Sequence, residues 1–327
     1  MLVDEATGEV QWAVQAHSLG CWVRVAMSPN GRFVASVGWD DNDWKIWDAA
    51  SGELHMVTAT HNGTGVHSAG MFAVVFSPCG QRLATRCSDG AVILWDARTG
   101  EAEHRMQGHT GFSTAIAFSA DGACLASGGH MSIDVFDATT GAWLRTIEEH
   151  GLVTCVSFSP TAISILAIAT AHDAIHVWDI DSGEILRDIA GQSMISIFSP
   201  DAHTIATASA ASLRDVQLID VGSGEIRCRM VGDMSAVYTA SWCPYDGRKL
   251  ASGSLDGTCK VWDSTTGALL KTIEFGNKHE KLISLAWGRS WVQGAMAFGM
   301  GHHPRLGAGS QMLELEAGVV RMILDRV

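Results

Sequence analysis

Residues 45–52 read KIWDAASG, and the same phrase returns as ILWDARTG at 93–100, DVFDATTG at 134–141, HVWDIDSG at 176–183, QLIDVGSG at 217–224 and KVWDSTTG at 260–267. In each, an aromatic or apolar anchor is followed by Asp and, at a fixed offset, by Gly. The anchors Trp47, Trp95, Phe136, Trp178, Ile219 and Trp262 stand 48, 41, 42, 41 and 43 residues apart. Those spacings are within or near the length of one unit of four short strands, and five returns at such spacing are not chance.

Two further columns run upstream of each anchor. VASVG (34–38), LATRC (83–87), LASGG (125–129), LAIAT (166–170), IATAS (205–209) and LASGS (250–254) form one; VAMSPNG (25–31), VVFSPCG (74–80), IAFSADG (116–122), VSFSP (156–160), SIFSPD (196–201) and ASWCPYDG (240–247) form the other. Val, Ile, Phe and Trp suit pleated strands, while Pro fixes φ and Gly accepts positive φ in the turns between. A fourth strand follows each Gly, as in ELHMVT (53–58), WLRTIE (143–148) and LLKTIE (269–274). The strands are nearly continuous apolar runs rather than alternating ones, which predicts sheets covered on both faces.

Composition agrees. The 327 residues are 47% hydrophobic and 17% charged with 35 glycines, a profile of many strands joined by tight turns. The formal charge of −13 offers no basic field for nucleic acid or an anionic membrane, so the expected partners are proteins, including ones with basic segments. The eight cysteines (Cys21, Cys79, Cys87, Cys124, Cys155, Cys228, Cys243, Cys259) are scattered without a C-x-x-C pair and read as reduced thiols of an intracellular protein. The first ten residues, MLVDEATGEV, carry acid where a secretion signal carries positive charge. The longest weakly polar run, 161–171, is too short to span a bilayer. The expected location is cytoplasmic.

From about Gly8 to Glu274, and more weakly over 282–327, the chain resembles the WD40-repeat family. The resemblance implies an all-β fold: a seven-bladed WD40-type β-propeller of four-stranded antiparallel blades, one domain over 1–327. Its repeats fall at about 17–58, 67–107, 109–147, 150–189, 190–230 and 233–273, with a degenerate last blade at 279–325 completed by 9–15. The family's structural tetrad joins a His before the first strand, a Ser or Thr of the second, an Asp of the next turn and the Trp of the third. His17, Ser36, Asp40 and Trp47 match it, as do His67, Thr85, Asp89 and Trp95, and His150, Thr170, Asp173 and Trp178. Such a network satisfies polar groups that blade packing would bury unpaired. The sixth repeat has Asp233 for His, the third has Phe136 for Trp and Met131 for Asp, and the fifth has Ile219 for Trp and Gln192 near the His position, so the third and fifth are expected to rest mainly on apolar packing.

The last blade has two candidate outer strands. LISLAWG (282–288), GAMAFGM (294–300), QMLELEAG (311–318) and VVRMILD (319–325) contain no W-D dipeptide, although Glu314 and Gly318 keep its spacing; Asp4 and Gly8 keep it too. In the family the first strand of the chain usually completes the last blade and removes an open edge, which favours 10–14 over 319–324. Because the chain begins inside a repeat, a longer WD-repeat array is the alternative.

The tetrads hold Ser or Thr, His and Asp, the residue types of nucleophilic catalysis, but they recur at repeat-locked spacing without a nucleophile elbow or oxyanion-hole motif. His302 and His303 in GMGHHPRLGAG, and His279 with Glu280, match no metal or phosphate motif, since Ile283 stands where a second zinc His is needed; the sequon at Asn62 needs a secretory compartment that nothing else supports. No catalytic residue, metal or cofactor is expected. The resemblance places partner contacts on the top face, at Trp39, Phe72, Phe112, His130, His172, Arg214, Tyr238, Leu255 and Lys281. Aromatic and Arg side chains dominate binding hot spots. GWDDNDWKIWD (38–48) carries one residue more than the repeat allows and sets Asp40, Asp41 and Asp43 between Trp39 and Trp44, an acidic, aromatic protrusion suited to a basic segment. The expected function is a non-catalytic protein-interaction scaffold, a subunit of a larger complex. The alternatives are an accessory module or fragment of an enzyme or regulatory complex, and, more remotely, a hydrolase or small-molecule binder using the central channel.

Overall fold

The structure is a computed structural model and describes residues 1–4, 9–18, 22–39, 43–58, 70–108, 115–171, 174–190, 193–209, 215–232, 235–244, 246–274, 280–288 and 295–302. These residues form strands and turns, with no helix among them. Repeat one gives Val23–Met27, Phe33–Gly38, Trp44–Asp48 and Leu54–Val57 as one antiparallel four-stranded sheet. Repeats two (Met71–Gln107), five (Ser193–Val231) and six (Val237–Glu274) give the same sheet in the same order. Each is a four-stranded antiparallel blade.

Repeats three and four depart from this. Strand Trp143–Phe158 runs unbroken through the boundary expected at 147–150, serving as the fourth strand of one repeat and the first of the next, so the two repeats form one seven-stranded sheet. Gly151, at φ 139, lies inside that strand. The remaining sheet joins Glu280–Gly288 and Ala295–His302 to Leu2–Asp4, with Val10–Trp12 in the outer position. The rival segment 319–324 lies outside the described residues.

Two-sided burial explains the continuous apolar runs. Second and third strands are buried along almost their whole length, whereas fourth strands face solvent. Each apolar cluster joins two repeats, or a repeat and the N-terminal strands. Val37, Trp44 and Ile46 of repeat one pack on Met71, Phe76 and Leu83 of repeat two, and Ala167, Ile175 and Val177 of repeat four on Phe198, Ile205 and Ile219 of repeat five. Alternation along the short N-terminal strand splits it between neighbours: Val3 enters the cluster of repeat six with Cys243 and Val261, and Leu2 that of repeat one with Val34 and Trp47. The first strands lie side by side in an unbroken cycle, Val23–Met27 against Met71–Phe76 and onward through the repeats to Glu280–Gly288, which returns to Val23–Met27.

The Asp of each W-D phrase caps its own turn. Asp137 Oδ1 accepts the N–H groups of Thr139 and Thr140 at 2.7 and 2.8 Å, and Asp48, Asp96 and Asp263 do the same in their repeats. These backbone bonds hold the carboxyls below their ordinary pKa. The Gly that ends the turn has a second task. At Gly141, φ is 70, and a Cβ would stand 2.8 Å from His104 Cγ of the preceding blade, whose Nε2 contacts Thr139 O at 2.9 Å. Trp12 of the closing sheet covers Gly52 in the same way and donates its indole N–H to Ala49 O at 2.8 Å. The outer strands of repeat two and of the closing sheet thus clasp the turn of the next blade.

Gly141→Ala and Gly224→Ala impose similar backbone strain, since both residues have positive φ, but a Cβ at 224 meets only Ile189 Cγ1, at 4.0 Å. Gly141→Ala should destabilise the fold by roughly 1–3 kcal/mol more than Gly224→Ala in denaturant unfolding, and equal losses would contradict the clasp.

Candidate partner-binding face

Register fixes which side chains can meet. Trp47, Trp95, Phe136, Trp178, Ile219 and Trp262 pair with Val34, Leu83, Leu125, Leu166, Ile205 and Leu250, and two residues further on stand Ser36, Thr85, Ser127, Ile168, Thr207 and Ser252. In repeats one, two and six, the indole N–H donates to that hydroxyl at 2.9 Å. In repeat one the chain continues from Ser36 Oγ to His17 Nε2 at 2.9 Å, with His17 Nδ1 3.3 Å from Asp43. The acid found beside His17 is Asp43; the expected Asp40 lies outside the described residues. Lys45, 3.2 Å from the same carboxylate, shares its charge.

In repeat two, Asp89 binds Arg105 Nη2 at 3.1 Å and caps its own turn through Ala91 N–H, while His67 lies outside the described residues. Repeat four overturns the expected tetrad. Ile168 occupies the hydroxyl position, and Thr170 instead donates to Ala174 O at 3.3 Å. The indole of Trp178 therefore donates to buried Glu149 at 2.9 Å, which also holds His176 Nδ1 at 2.8 Å. His150, one residue on in the continuous strand, points to solvent; Asp173 lies outside the described residues. Glu149 and His176 escaped sequence reasoning, although LAI in a column of LAT and LAS was the available signal.

Where the anchor has no indole, the hydroxyl finds another partner. In repeat three, fully buried Arg86 reaches from repeat two to donate to Ser127 at 3.1 Å. Burial lowers its pKa to about 10, opposed by the charges of Cys87, Asp134 and Asp89. In repeat five, Thr207 bonds to the Ser193 hydroxyl. Phe136 and Ile219 are buried in apolar clusters, so those repeats combine packing with a substitute polar link. Ser36, Thr85 and Thr170 are 2%, 0% and 1% exposed, so no substrate reaches these hydroxyls.

Some of the expected contact residues fall among the described residues at one end of the blades. First-strand starts and second-to-third turns share one end of every blade, opposite the W-D turns, because Val23 pairs with Gly38, Met71 with Cys87 and Val237 with Ser254. Trp39 and Phe72, from adjacent blades, meet there with ring centroids 4.0 Å apart and planes tilted by 52°. Phe72 is only 6% exposed, so it supports Trp39 from below and is not itself on offer. The Trp39 N–H donates to Trp22 O at 3.1 Å, and Gly70 admits the Trp39 carbonyl where a Cβ would lie 2.4 Å away. Tyr238 and Leu255 are half-buried in repeat six, and His130 is exposed in repeat three beside Met131, whose φ is 66. Lys281 lies in strand Glu280–Gly288; Phe112, His172 and Arg214 lie outside the described residues.

The family model described as WD domain, G-beta repeat matches residues 8–48, 57–96, 100–137, 141–179 and 226–263, more than half of the chain. The chain belongs to the WD40 family. Repeat five, with Ile219 for the anchor Trp and no His at the tetrad position, is outside the matched segments except for its last strand, yet folds into the same sheet. This WD40 chain is 24% identical over 84% of its length to a ribosome biogenesis protein from Chlamydomonas reinhardtii, and 26% identical over 80% to protein tipD from Dictyostelium discoideum. It is also 23% identical over 63% of its length to a guanine nucleotide-binding protein subunit beta from Zea mays. It spans 60%, 43% and 58% of those proteins.

Ser36→Ala strands the Trp47 indole and His17 together and should cost about 1–3 kcal/mol, whereas Thr170→Val loses one bond to a carbonyl and should cost about 1 kcal/mol or less. Urea unfolding of both variants tests the assignment, and a larger loss for Thr170→Val would reverse it.

Proposed function

We propose that the chain forms a single closed ring of seven blades and acts as a non-catalytic scaffold, gripping protein partners on the end of the ring that carries Trp39. The cyclic adjacency of first strands supports the ring, with the seven-stranded sheet supplying two blades. One observation carries the site: Trp39 remains half-exposed while Phe72 beneath it and the backbone bond to Trp22 hold it in place. A rigid, partly open indole buries large area on binding at small entropic cost.

The partner we infer carries a basic segment. Asp40, Asp41 and Asp43 share the turn with Trp39, on a chain of net charge −13. Subunit membership in a larger complex and a cytoplasmic location belong to the same proposal. Support for the former comes from relatives named as a ribosome biogenesis protein and a subunit beta, and for the latter from the seven cysteines among the described residues, all free thiols.

Trp39→Ala and Trp39→Phe separate contact from folding, since Phe keeps a ring on Phe72. Affinity capture from native extract should lose its specific partners with Trp39→Ala and recover part of them with Trp39→Phe, both variants melting near the wild-type temperature. The binding loss should be at least about 2 kcal/mol. Identical partners captured by all three folded proteins would remove Trp39 from the interface.

A further inference from the structure

The turn between the second and third strands of repeat three is one residue shorter than its counterparts. Four residues, 129–132, separate the paired Gly128 and Ile133, whereas five separate Arg86 from Val92, Ala169 from Ile175 and Gly253 from Cys259. Five positions before the anchor, repeats two and six place Gly90 and Gly257, at φ 84 and 81, and repeat three places Met131, at φ 66. A side chain at positive φ crowds its own backbone, so such a position favours Gly and, after it, Asn.

The base of the hairpin holds Met131 in that conformation. Gly129 N–H donates to Ser132 O at 2.8 Å, and Gly129 O accepts the Val153 N–H at 3.1 Å. Gly128 is seated so closely that a Cβ would lie 2.6 Å from Val153 Cγ1 and 2.8 Å from Ala115 Cβ. The fold gains no apolar packing in return, because Met131 is 49% exposed and belongs to neither apolar cluster of repeat three. Ala202 makes the contrast. It is the other non-Gly residue at positive φ among the described residues, and it packs against the cluster of repeats four and five. Backbone strain collects at functional positions.

As a second-to-third turn, this hairpin stands at the end of the blades that carries Trp39. His130, Glu148 and His150 are exposed on the hairpin and on the strand paired with it, and neither 128–132 nor 148–152 contains Lys or Arg.

We propose that Met131 is a second anchor of the partner-binding face, taking an apolar side chain that Lys or Arg flanks in the protein partner. This rests on the reading of that end as the partner-binding face. A thioether on three rotatable bonds moulds itself to an aliphatic or aromatic group, and Glu148, on a stretch without Lys or Arg, favours a basic flank over an acidic one.

A random twelve-residue peptide library selected on the wild-type protein, with the recovered peptides titrated against variants, tests this. The peptides should combine basic and apolar residues, bind at least about tenfold more weakly to Met131→Asn, and regain most of that affinity with Met131→Leu. Met131→Asn should at the same time raise the urea midpoint, with an unfolding constant lower by about fivefold, because Asn tolerates the turn. A midpoint that does not rise would show that the fold itself uses Met131 and would overturn the proposal. Peptides weakened by Trp39→Ala but unchanged by Met131→Asn overturn it and leave the reading of the face standing. Recovery of no peptides, or of peptides that neither variant weakens, overturns both.

Discussion

A sheet with two apolar faces can leave water only by standing between two others, and everything else in this molecule follows from that constraint. The second and third strands have no solvent side, so their sequence cannot alternate, and every apolar cluster belongs to two blades at once. A row of such sheets always ends in two bare faces unless it curls into a cycle. The N-terminal strand resolves the problem with two adjacent residues, Leu2 turned toward repeat one and Val3 toward repeat six.

Burial from both sides sets a second demand, because an indole N–H or a hydroxyl inside the stack has no water to bind. The repeats meet it with different residues. Trp47, Trp95 and Trp262 use the hydroxyl two positions beyond their cross-strand partner; Trp178, facing Ile168, uses Glu149; and Ser127, facing Phe136, takes Arg86 from its neighbour. The polar layer conserves satisfaction rather than residue identity. On top of it lies a seated indole at Trp39.

The strand columns were legible because the W-D turn and the S-P-x-G turn each need specific chemistry at every return. Tetrads proved harder to read, since they depend on register and on loop length. Thr170 carries a hydroxyl, but alignment with LATRC and LASGG puts Ile168 in the tetrad place; and three acids, Asp40, Asp41 and Asp43, follow Trp39, so the sequence of that turn does not single out Asp43, the one beside His17. No local signal marks Trp143–Phe158 as a single strand, because EEHG reads as a loop and its pairing is decided by two neighbouring repeats. Phe72 looked like a contact residue because exposure of a first-strand start depends on what the adjacent blade lays over it, here Trp39.

The central claim is that the N-terminal strands are structural members of the ring. Native-state amide hydrogen exchange tests it most directly. The account predicts that the amides of Leu2–Asp4 exchange as slowly as those of Trp44–Asp48, opening only with the whole molecule. Rapid exchange across Leu2–Asp4 and Val10–Trp12 while Trp44–Asp48 stays protected would contradict it.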